Sequence, residues 1–311
     1  MASLSKRSID LKKEVISIDL GSNTLRVLKF DCSSKKRVAE FEQIVKTAKD
    51  LDQTGKIEDD TIQKILEAIT QAKKVIKFDA KDAIAVTTEA LRRAKNSDEV
   101  LNRIWEETGV RFHLISGYEE AIFTLKAVIT RLLSLNIDAK SLVLVDIGGG
   151  STEIIFRFED KILVKSFPVG IVSIANRYKN LQKMEKGLEK EMQPIRDFIN
   201  LKQKPKVFVA TAGTPTTIAS IKMGMDYKSY NPDKINGVTL SIDEVKETLN
   251  MLLGIDEVKR DKLVGIGRED LIVAGVLIFE KLFEILGFKE AIIIDDGLRE
   301  GVALNLCSRD N

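Results

Sequence analysis

The sequence predicts an α/β fold built from two similar halves that face a common ligand. One pattern, an apolar strand that ends in an aspartate and a glycine-containing turn, occurs at 15–24 (VISIDLGSNT) and again at 142–152 (LVLVDIGGGST). The two aspartates, Asp19 and Asp146, are separated by close to half of the 311-residue chain. Short apolar runs also alternate with helical periodicity in both halves, which is typical of α/β proteins. These observations indicate an internal duplication.

Each half contains further predicted elements around its hairpin. In the first half, apolar spacing and capping signals predict a helix over 62–76, a strand over 82–88, a helix from the cap Ser97 to Gly109, a strand over 110–116 and a helix over 117–133. In the second half they predict a helix over 188–199 strained by Pro194, a strand over 207–211, a helix capped by Thr214 with Pro215 as its first residue, an amphipathic helix over 271–288, a strand over 290–295 and a helix over 298–306. The irregular stretch 225–241 is predicted to be a loop.

We place the domain boundary in the stretch 133–141 (LSLNIDAKS). The predicted domains are therefore 1–135 and 136–311, with a last helix, about 298–311, that could pack back on the first domain. Helix 271–286 is apolar enough to be either core or interface, so a homodimer stays open.

Composition and charge argue against several classes of protein. The 49 basic and 47 acidic side chains give a net charge of +2, which gives no indication of nucleic-acid binding. The N-terminal segment has no apolar core, so we predict no signal peptide. The apolar stretch 271–288 is broken by Glu280, Lys281 and Glu284, which argues against a membrane span. The only cysteines, Cys32 and Cys307, predict no disulfide framework, and we expect a cytoplasmic protein.

The single histidine restricts the chemistry further. Zinc sites need several His or Cys ligands, which this chain cannot supply. A Ser-His-Asp triad could only use His113, which lies in the predicted strand VRFHLI, where we expect a structural role.

The two aspartate–glycine turns are candidate phosphate sites. Glycines without a Cβ can bring backbone N–H groups close to a ligand, and a row of N–H groups suits phosphate. Asp146 at the end of its strand suits Mg²⁺, which prefers oxygen ligands shared between carboxylates and phosphate. A plain hairpin with a glycine-rich turn is the alternative for either turn taken alone. The helix after Gly213 offers a third possible anion site.

Two common phosphate-binding motifs are absent. No string fits the G-x-x-x-x-G-K-[ST] pattern. GIGRED at 265–270 lacks the third glycine of the dinucleotide fingerprint, and the two aspartate–glycine turns lead into strands rather than helices.

Seven short strings, in order along the chain, resemble those of one family. They are DLGSNTLR (19–26), TTEALRRAKN (87–96), ISGYEEA (115–121), DIGGGSTE (146–153), FPVGIV (167–172), AGTPTTIA (212–219) and DGLREGV (296–302). Together they resemble the exopolyphosphatase/guanosine pentaphosphate phosphatase (Ppx/GppA) family, within the superfamily of actin, sugar kinases and heat-shock ATPases. The resemblance implies two duplicated actin-like (ribonuclease H-like) domains with an interdomain cleft. It also implies Mg²⁺-dependent hydrolysis of a terminal phosphoanhydride, in polyphosphate or in pppGpp of the stringent response, with Mn²⁺ as an alternative ion.

The chain stops soon after DGLREGV and so resembles the short form of the family. Longer members continue with a helical region that carries histidine-rich metal-type motifs. We therefore expect weaker processivity on long polyphosphate.

The resemblance assigns roles residue by residue. The expected phosphate cradle consists of turn residues, whose hydroxyls could also simply cap the turns: Gly21, Ser22, Asn23, Thr24, Gly148, Gly149, Gly150, Ser151, Thr152, Gly213 and Thr214. Arg92 matches a family arginine and suits bidentate phosphate contact. Arg26 and Arg268 are further candidates to contact the substrate, with a surface salt bridge as the alternative for Arg26.

Carboxylates are expected to handle the water and the metal. Glu120 matches the family's water-activating glutamate, although the helical pattern alone leaves Glu119 and Glu120 open, because both avoid the apolar face and both suit a helix N-terminus. By resemblance Glu153 is the second essential carboxylate, which orients the water or helps to hold the metal. Asp146 is the first candidate for a Mg²⁺ ligand and Asp19 the second. Such a base needs no perturbed pKa, since it chiefly orients water.

Two other functions stay open from the sequence. One is a phosphotransferase of the wider superfamily, and the other is a non-catalytic (p)ppGpp or nucleotide sensor, or an actin-like filament protein. The presence of both Glu120 and Glu153 favours the phosphatase. Polyphosphate and guanosine penta- or tetraphosphate stay unresolved as partners, because the motifs concern only phosphate and metal. Asn236-Gly237 replaces a His-Gly pair of some relatives, so no guanine contact is assigned.

Overall fold

The first half of the chain forms a five-stranded mixed sheet with helices on its faces. The computed structural model describes residues 14–199, 204–265 and 267–309. The strands are β1 (Glu14–Leu20), β2 (Thr24–Asp31), β3 (Lys36–Ile44), β4 (Ala83–Thr87) and β5 (Phe112–Leu114). The helices are α1 (Leu51–Thr54), α2 (Asp59–Ile76), α3 (Glu89–Arg93), α4 (Ser97–Thr108) and α5 (Gly117–Ser134), with a 3₁₀ turn at Ala80–Asp82. The strand order is β3-β2-β1-β4-β5, with β1, β2 and β3 antiparallel and β4 and β5 parallel to β1.

The second half repeats this arrangement and adds one edge strand. Its strands are β6 (Ser141–Ile147), β7 (Thr152–Phe158), β8 (Lys161–Phe167), β9 (Val207–Thr211), β10 (Val238–Ser241) and β11 (Glu290–Ile293). Its helices are α6 (Ile171–Arg177), α7 (Leu181–Glu191), α8 (Gln193–Ile199), α9 (Gly213–Lys222), α10 (Pro232–Ile235), α11 (Ile242–Gly254), α12 (Glu257–Val264), α13 (Glu269–Leu286) and α14 (Leu298–Arg309). Without β10, the order β8-β7-β6-β9-β11 matches the first sheet strand for strand, orientations included. This topology confirms the predicted duplication.

Helices α5 and α14, the last helix of each half, pack across the division between the halves. Helix α5 follows the first sheet in sequence, yet it buries Leu125 and Leu132 against Leu144 of the second sheet. Helix α14 follows the second sheet, yet Ala303 and Leu304 pack with strands β1 and β2. The domain boundary between residues 135 and 136 stays a prediction. This boundary places α5 in the first domain, although α5 packs mainly on the second sheet.

Helix α13 lies at the centre of the second core. Ala274, Ile278 and Phe279 are fully buried in it, so this helix serves as core. Among the described residues, no helix is long and apolar enough to cross a membrane.

Several local predictions need correction. The N-cap of α9 is Ala212 rather than Thr214, since the helix already begins at Gly213. The helix expected over 188–199 is two helices that meet at Met192, with Pro194 tolerated in the first turn of the second. The stretch 225–241 is not only loop, because it contains α10 and the edge strand β10. Helix α4 is capped one residue earlier than Ser97, by Asn96.

The prediction of no disulfide was wrong for this structure. Cys32 follows β2, Cys307 lies on α14, and the two form a disulfide with a Cα–Cα distance of 5.4 Å, which is usual for such bonds. No local pattern indicates this pairing, because 275 positions separate the two residues and the packing of α14 on the first sheet brings them together.

Candidate active site

The ends of the two equivalent hairpins line one cavity of about 440 Å³. The turn between β1 and β2 and the turn between β6 and β7 both line it. Strands β1 and β6 occupy equivalent central positions in their sheets and each is followed by an antiparallel partner, so the two turns lie at equivalent ends of the two sheets. Both predicted turns meet at this cavity.

Glycine is required where the two turns touch. A Cβ on Gly149 would lie 2.9 Å from the Cβ of Ser22, and a Cβ on Gly150 would lie 2.7 Å from Cγ of Glu89. The N–H of Gly21 donates to the carbonyl of Thr24 at 3.0 Å, and that of Gly148 donates to Ser151 at 2.9 Å. These two amides close the turns. The amides of Gly149 and Gly150, in contrast, donate no hydrogen bond within the described part of the chain.

Four carboxylates converge beside these turns: Asp19, Glu120, Asp146 and Glu153. Burial, opposed by nearby Arg26, raises the pKa of Asp19 to about 6. Burial next to Asp146 raises the pKa of Glu153 to about 7. The pKa of Glu120 is raised well above its ordinary value by burial and then by Glu153. Such a group of buried like charges favours protons or a cation.

The structure separates the two adjacent glutamates of α5. Glu119 accepts hydrogen bonds from the N–H and hydroxyl of Ser116, both at 2.8 Å, and so completes a capping box. Glu120 lines the cavity instead. Its Oε2 accepts a hydrogen bond at 3.1 Å from Arg92. Arg92 does not line the cavity and also donates to Glu89 and to the carbonyl of Ile115, so it holds Glu120 in place.

Glu153 lies behind the cavity wall and is 1% exposed. Its Oε1 accepts hydrogen bonds from Ser151 at 2.8 Å and from Ser166 at 2.6 Å. The hydroxyl of Thr152 donates to the carbonyl of Val169 at 2.5 Å, and Thr152 does not line the cavity either. Among the hydroxyls predicted to bind phosphate, those of Ser22, Thr24 and Ser151 belong to residues that line it.

The third predicted anion site also lies on the cavity. Ala212, Gly213 and Thr214 line it at the start of α9. Ala212 has φ 76° and ψ −178°, a conformation that is essentially restricted to glycine. Thr214 is buried against α13, where a Cβ on Gly275 would lie 2.1 Å from its Oγ1.

Several residues of the site were not predicted from the sequence. Glu42 accepts hydrogen bonds from both Arg26 and Arg268. Arg37 pairs with Asp295, Asp296 and Glu300 at the base of the cavity. Tyr227 and Tyr230 add aromatic surface. The alternation of β3 places Glu40 and Glu42 on one face, and this is the one signal that could have indicated them.

The carboxylates fit a magnesium ion that a phosphate helps to hold. Among the described residues no group of three or more His, Cys, Asp or Glu is arranged as a complete metal site. Mg²⁺, however, is commonly held by one or two carboxylates plus substrate phosphates and water. Oδ1 of Asp19 is buried without a hydrogen-bond partner. Asp146 accepts one hydrogen bond from Thr124 at 3.0 Å. These two aspartates are therefore the residues that could hold the ion.

The duplicated sheets and the shared acidic cavity define an actin-like two-lobed α/β protein. Residues 28–310 match the Ppx/GppA phosphatase family, and the chain belongs to that family. It is 31% identical to a solved Aquifex aeolicus PPX-GPPA enzyme, with a TM-score of 0.74 and coverage of 94% of this chain and 99% of that one.

Curated relatives agree with this family. Exopolyphosphatase 1 of Mycobacterium leprae is 26% identical over 92% of this chain and 87% of its own length. The bifunctional 3-dehydroquinate synthase/phosphatase of Fusobacterium nucleatum is 27% identical over 90% of this chain. The chain spans only 44% of that relative's length.

Proposed function

We propose that this protein is a Mg²⁺-dependent phosphatase that hydrolyses the terminal phosphoanhydride of inorganic polyphosphate or of pppGpp. The observation that carries the proposal is the position of Glu120. It lines the cavity beside Asp19 and Asp146, under two glycine turns that come from equivalent places in the two halves. Membership of the Ppx/GppA family supports the reaction class.

The reaction needs a cradle for negative charge, a positioned water and a place for a proton. The amides of Gly149 and Gly150 and the hydroxyl of Ser22 are suited to the terminal phosphate. When bound at Asp19 and Asp146, Mg²⁺ would neutralise charge on the phosphate oxygens.

Glu120 would orient the attacking water and accept its proton. The hydrogen bond from Arg92 at 3.1 Å fixes the carboxylate of Glu120. Burial, and after it the charge of Glu153, raises the pKa of Glu120 and so its affinity for a proton. A glutamate with a raised pKa is well matched to proton transfer near neutral pH. The sequence argument required no such shift, so this feature strengthens the assignment of Glu120.

Phosphate release tests the proposal directly. Purified protein is incubated with Mg²⁺ and either polyphosphate or pppGpp, and phosphate is followed over time. We expect release from at least one substrate and a loss of about 10²–10⁴-fold in Glu120→Gln. Glu119→Gln is the matched control, because glutamine can also complete a capping box, and it should retain activity.

The same experiment distinguishes the main alternative. No release from either substrate, together with tight binding of guanosine tetraphosphate, would indicate a nucleotide sensor. Full activity in Glu120→Gln would instead show that another group positions the water.

A further inference from the structure

Two arginines from opposite halves of the chain share one carboxylate in the cavity. Nε of Arg26, on β2, donates to Oε2 of Glu42 at 3.1 Å. Arg268, the N-cap residue of α13, donates to Oε1 of the same carboxylate. Arg26 and Glu42 face each other across β2 and β3, whereas Arg268 belongs to the second half. Glu42 therefore connects the two halves of the chain at the cavity.

The shared carboxylate leaves an excess of positive charge. Two guanidinium groups meet one carboxylate, and the side chains are only 29%, 18% and 27% exposed for Arg26, Arg268 and Glu42. Burial, and after it the charge of Arg26, lowers the pKa of Arg268 to about 10. A phosphate group presents acceptor oxygens to arginine in the same forked geometry as a carboxylate.

The arginine pair lies next to the acidic group. Arg26 is the cross-strand partner of Asp19, and its charge opposes the rise in pKa that burial causes in both Asp19 and Asp146. All of these residues line one continuous cavity. A linear chain of phosphates with its end at the aspartates therefore has the arginines within the same space.

We propose that Glu42 is an internal counter-anion that an inner phosphate of the substrate displaces from Arg26 and Arg268. This inference rests on the proposed function, because it takes the substrate to be a chain of phosphates. Displacement has a cost in lost ion pairs, which a single phosphate at the reacting position does not offset. Glu42 thus makes binding depend on at least one further phosphate and acts as a specificity-determining residue.

Binding of a non-hydrolysable triphosphate tests this idea without requiring turnover. The probe is methylene-bridged triphosphate with Mg²⁺, compared with orthophosphate by calorimetry. Removal of the competing charge in Glu42→Gln should tighten triphosphate binding about fivefold, whereas Arg268→Gln should weaken it by a similar factor. Glu42→Met, which also removes the charge at similar size, should shift the affinity in the same direction as Glu42→Gln.

The controls distinguish competition between Glu42 and phosphate for the arginines from a structural role of Glu42 in holding the arginines. Glu14→Gln breaks the Glu14–Lys29 pair on the same sheet, outside the cavity lining, and should leave triphosphate binding unchanged. In an Arg268→Gln background, the effect of Glu42→Gln should shrink, because the two residues are coupled.

Two results would overturn the proposal. The first is weaker binding in Glu42→Gln, which would show that Glu42 holds the arginines in place. The second is absence of triphosphate binding to the unmodified protein. Binding with the expected shifts but no phosphate release from polyphosphate or pppGpp would instead refute the proposed function alone.

Discussion

The two equivalent hairpins differ in the residue that faces each aspartate. In the first hairpin, Asp19 on β1 is opposite Arg26 on β2. In the second hairpin, Asp146 on β6 is opposite Glu153 on β7. One backbone position thus carries opposite charge in the two halves. The first half offsets its buried aspartate, and the second half adds a second buried carboxylate to it.

Because of this difference, the two hairpins contribute opposite charges to the cavity. Arg26 opposes the rise in the pKa of Asp19, whereas Asp146 adds to the rise in the pKa of Glu153. The second hairpin therefore concentrates negative charge where a proton or a cation is favoured. The first hairpin carries the positive charge that suits a substrate anion. A duplicated fold supplies both only because its halves have diverged at this position.

The halves also differ in how their last helices are attached to the opposite sheet. The largest effect on stability is expected from a change in this attachment. Helix α14 is linked to the first sheet by the Cys32–Cys307 bond, whereas α5 is held on the second sheet by packing. Cys307→Ser should lower the free energy of unfolding by about 2–5 kcal/mol, because the bond closes a very long loop in the unfolded chain. Urea unfolding with and without reductant measures the change.

The double variant Cys32→Ser/Cys307→Ser is the control for the disulfide. Reductant should not destabilise it further. Detection of two free thiols in the native, unreduced protein would contradict the bond and leave both last helices held by noncovalent contacts.

The turns themselves should differ in their tolerance of a side chain. A Cβ on Gly150 would lie 2.7 Å from Glu89, but a Cβ on Gly21 would lie 3.6 Å from the carbonyl of Thr24, an ordinary contact. Gly150→Ala should therefore destabilise the protein by about 1–3 kcal/mol, as overpacking does. Gly21→Ala should cost clearly less. Chemical unfolding of both variants measures this difference. Equal losses in the free energy of unfolding would contradict the idea that the two turns differ in the space they leave for a side chain.

A third expected effect concerns stability against pH in the absence of divalent cations. The pKa of Glu153 is about 7 in the folded protein, against an ordinary value of 4.5. The folded state therefore binds more protons than the unfolded state between these values, so stability falls as pH rises from about 4.5 to about 7. One pKa unit corresponds to about 1.4 kcal/mol, so we expect the Glu153 contribution to this loss to be at most about 3 kcal/mol. Thermal unfolding in chelator at several pH values measures it.

Two comparisons test the origin of this pH dependence. Glu153→Gln should flatten the curve, since the titrating group is gone, and saturating Mg²⁺ should restore stability mainly at the higher pH. If stability depends on pH with the same slope in Glu153→Gln, then Glu153 is not the source of the pH dependence.

The repeated features of the fold were predictable from the sequence, because the same strand-and-turn pattern occurs in both halves of the chain. The runs that end at Asp19 and Asp146 have the period and the turn residues of a hairpin, and the structure places both in equivalent sheets. The helix predicted over 117–133 agrees with α5 to within one residue, because the apolar spacing of this stretch is a strong local signal.

Features that depend on distant residues were not predictable. The pairing of Glu42 with Arg268 joins β3 to the start of α13, and no local pattern relates them. The choice between Glu119 and Glu120 needed the side chain of Ser116, which engages one glutamate in the helix cap and leaves the other for the cavity. The prediction of Thr214 as the N-cap of α9 was wrong, because Ala212 adopts a backbone conformation that is rare for any residue except glycine.

The Cys32–Cys307 bond turns most of the chain into a covalent ring. A single cut within the ring, for example in the exposed turn at Glu159–Asp160 between β7 and β8, would not release either fragment. Nicked protein would run as one band in electrophoresis without reductant and as two bands with it.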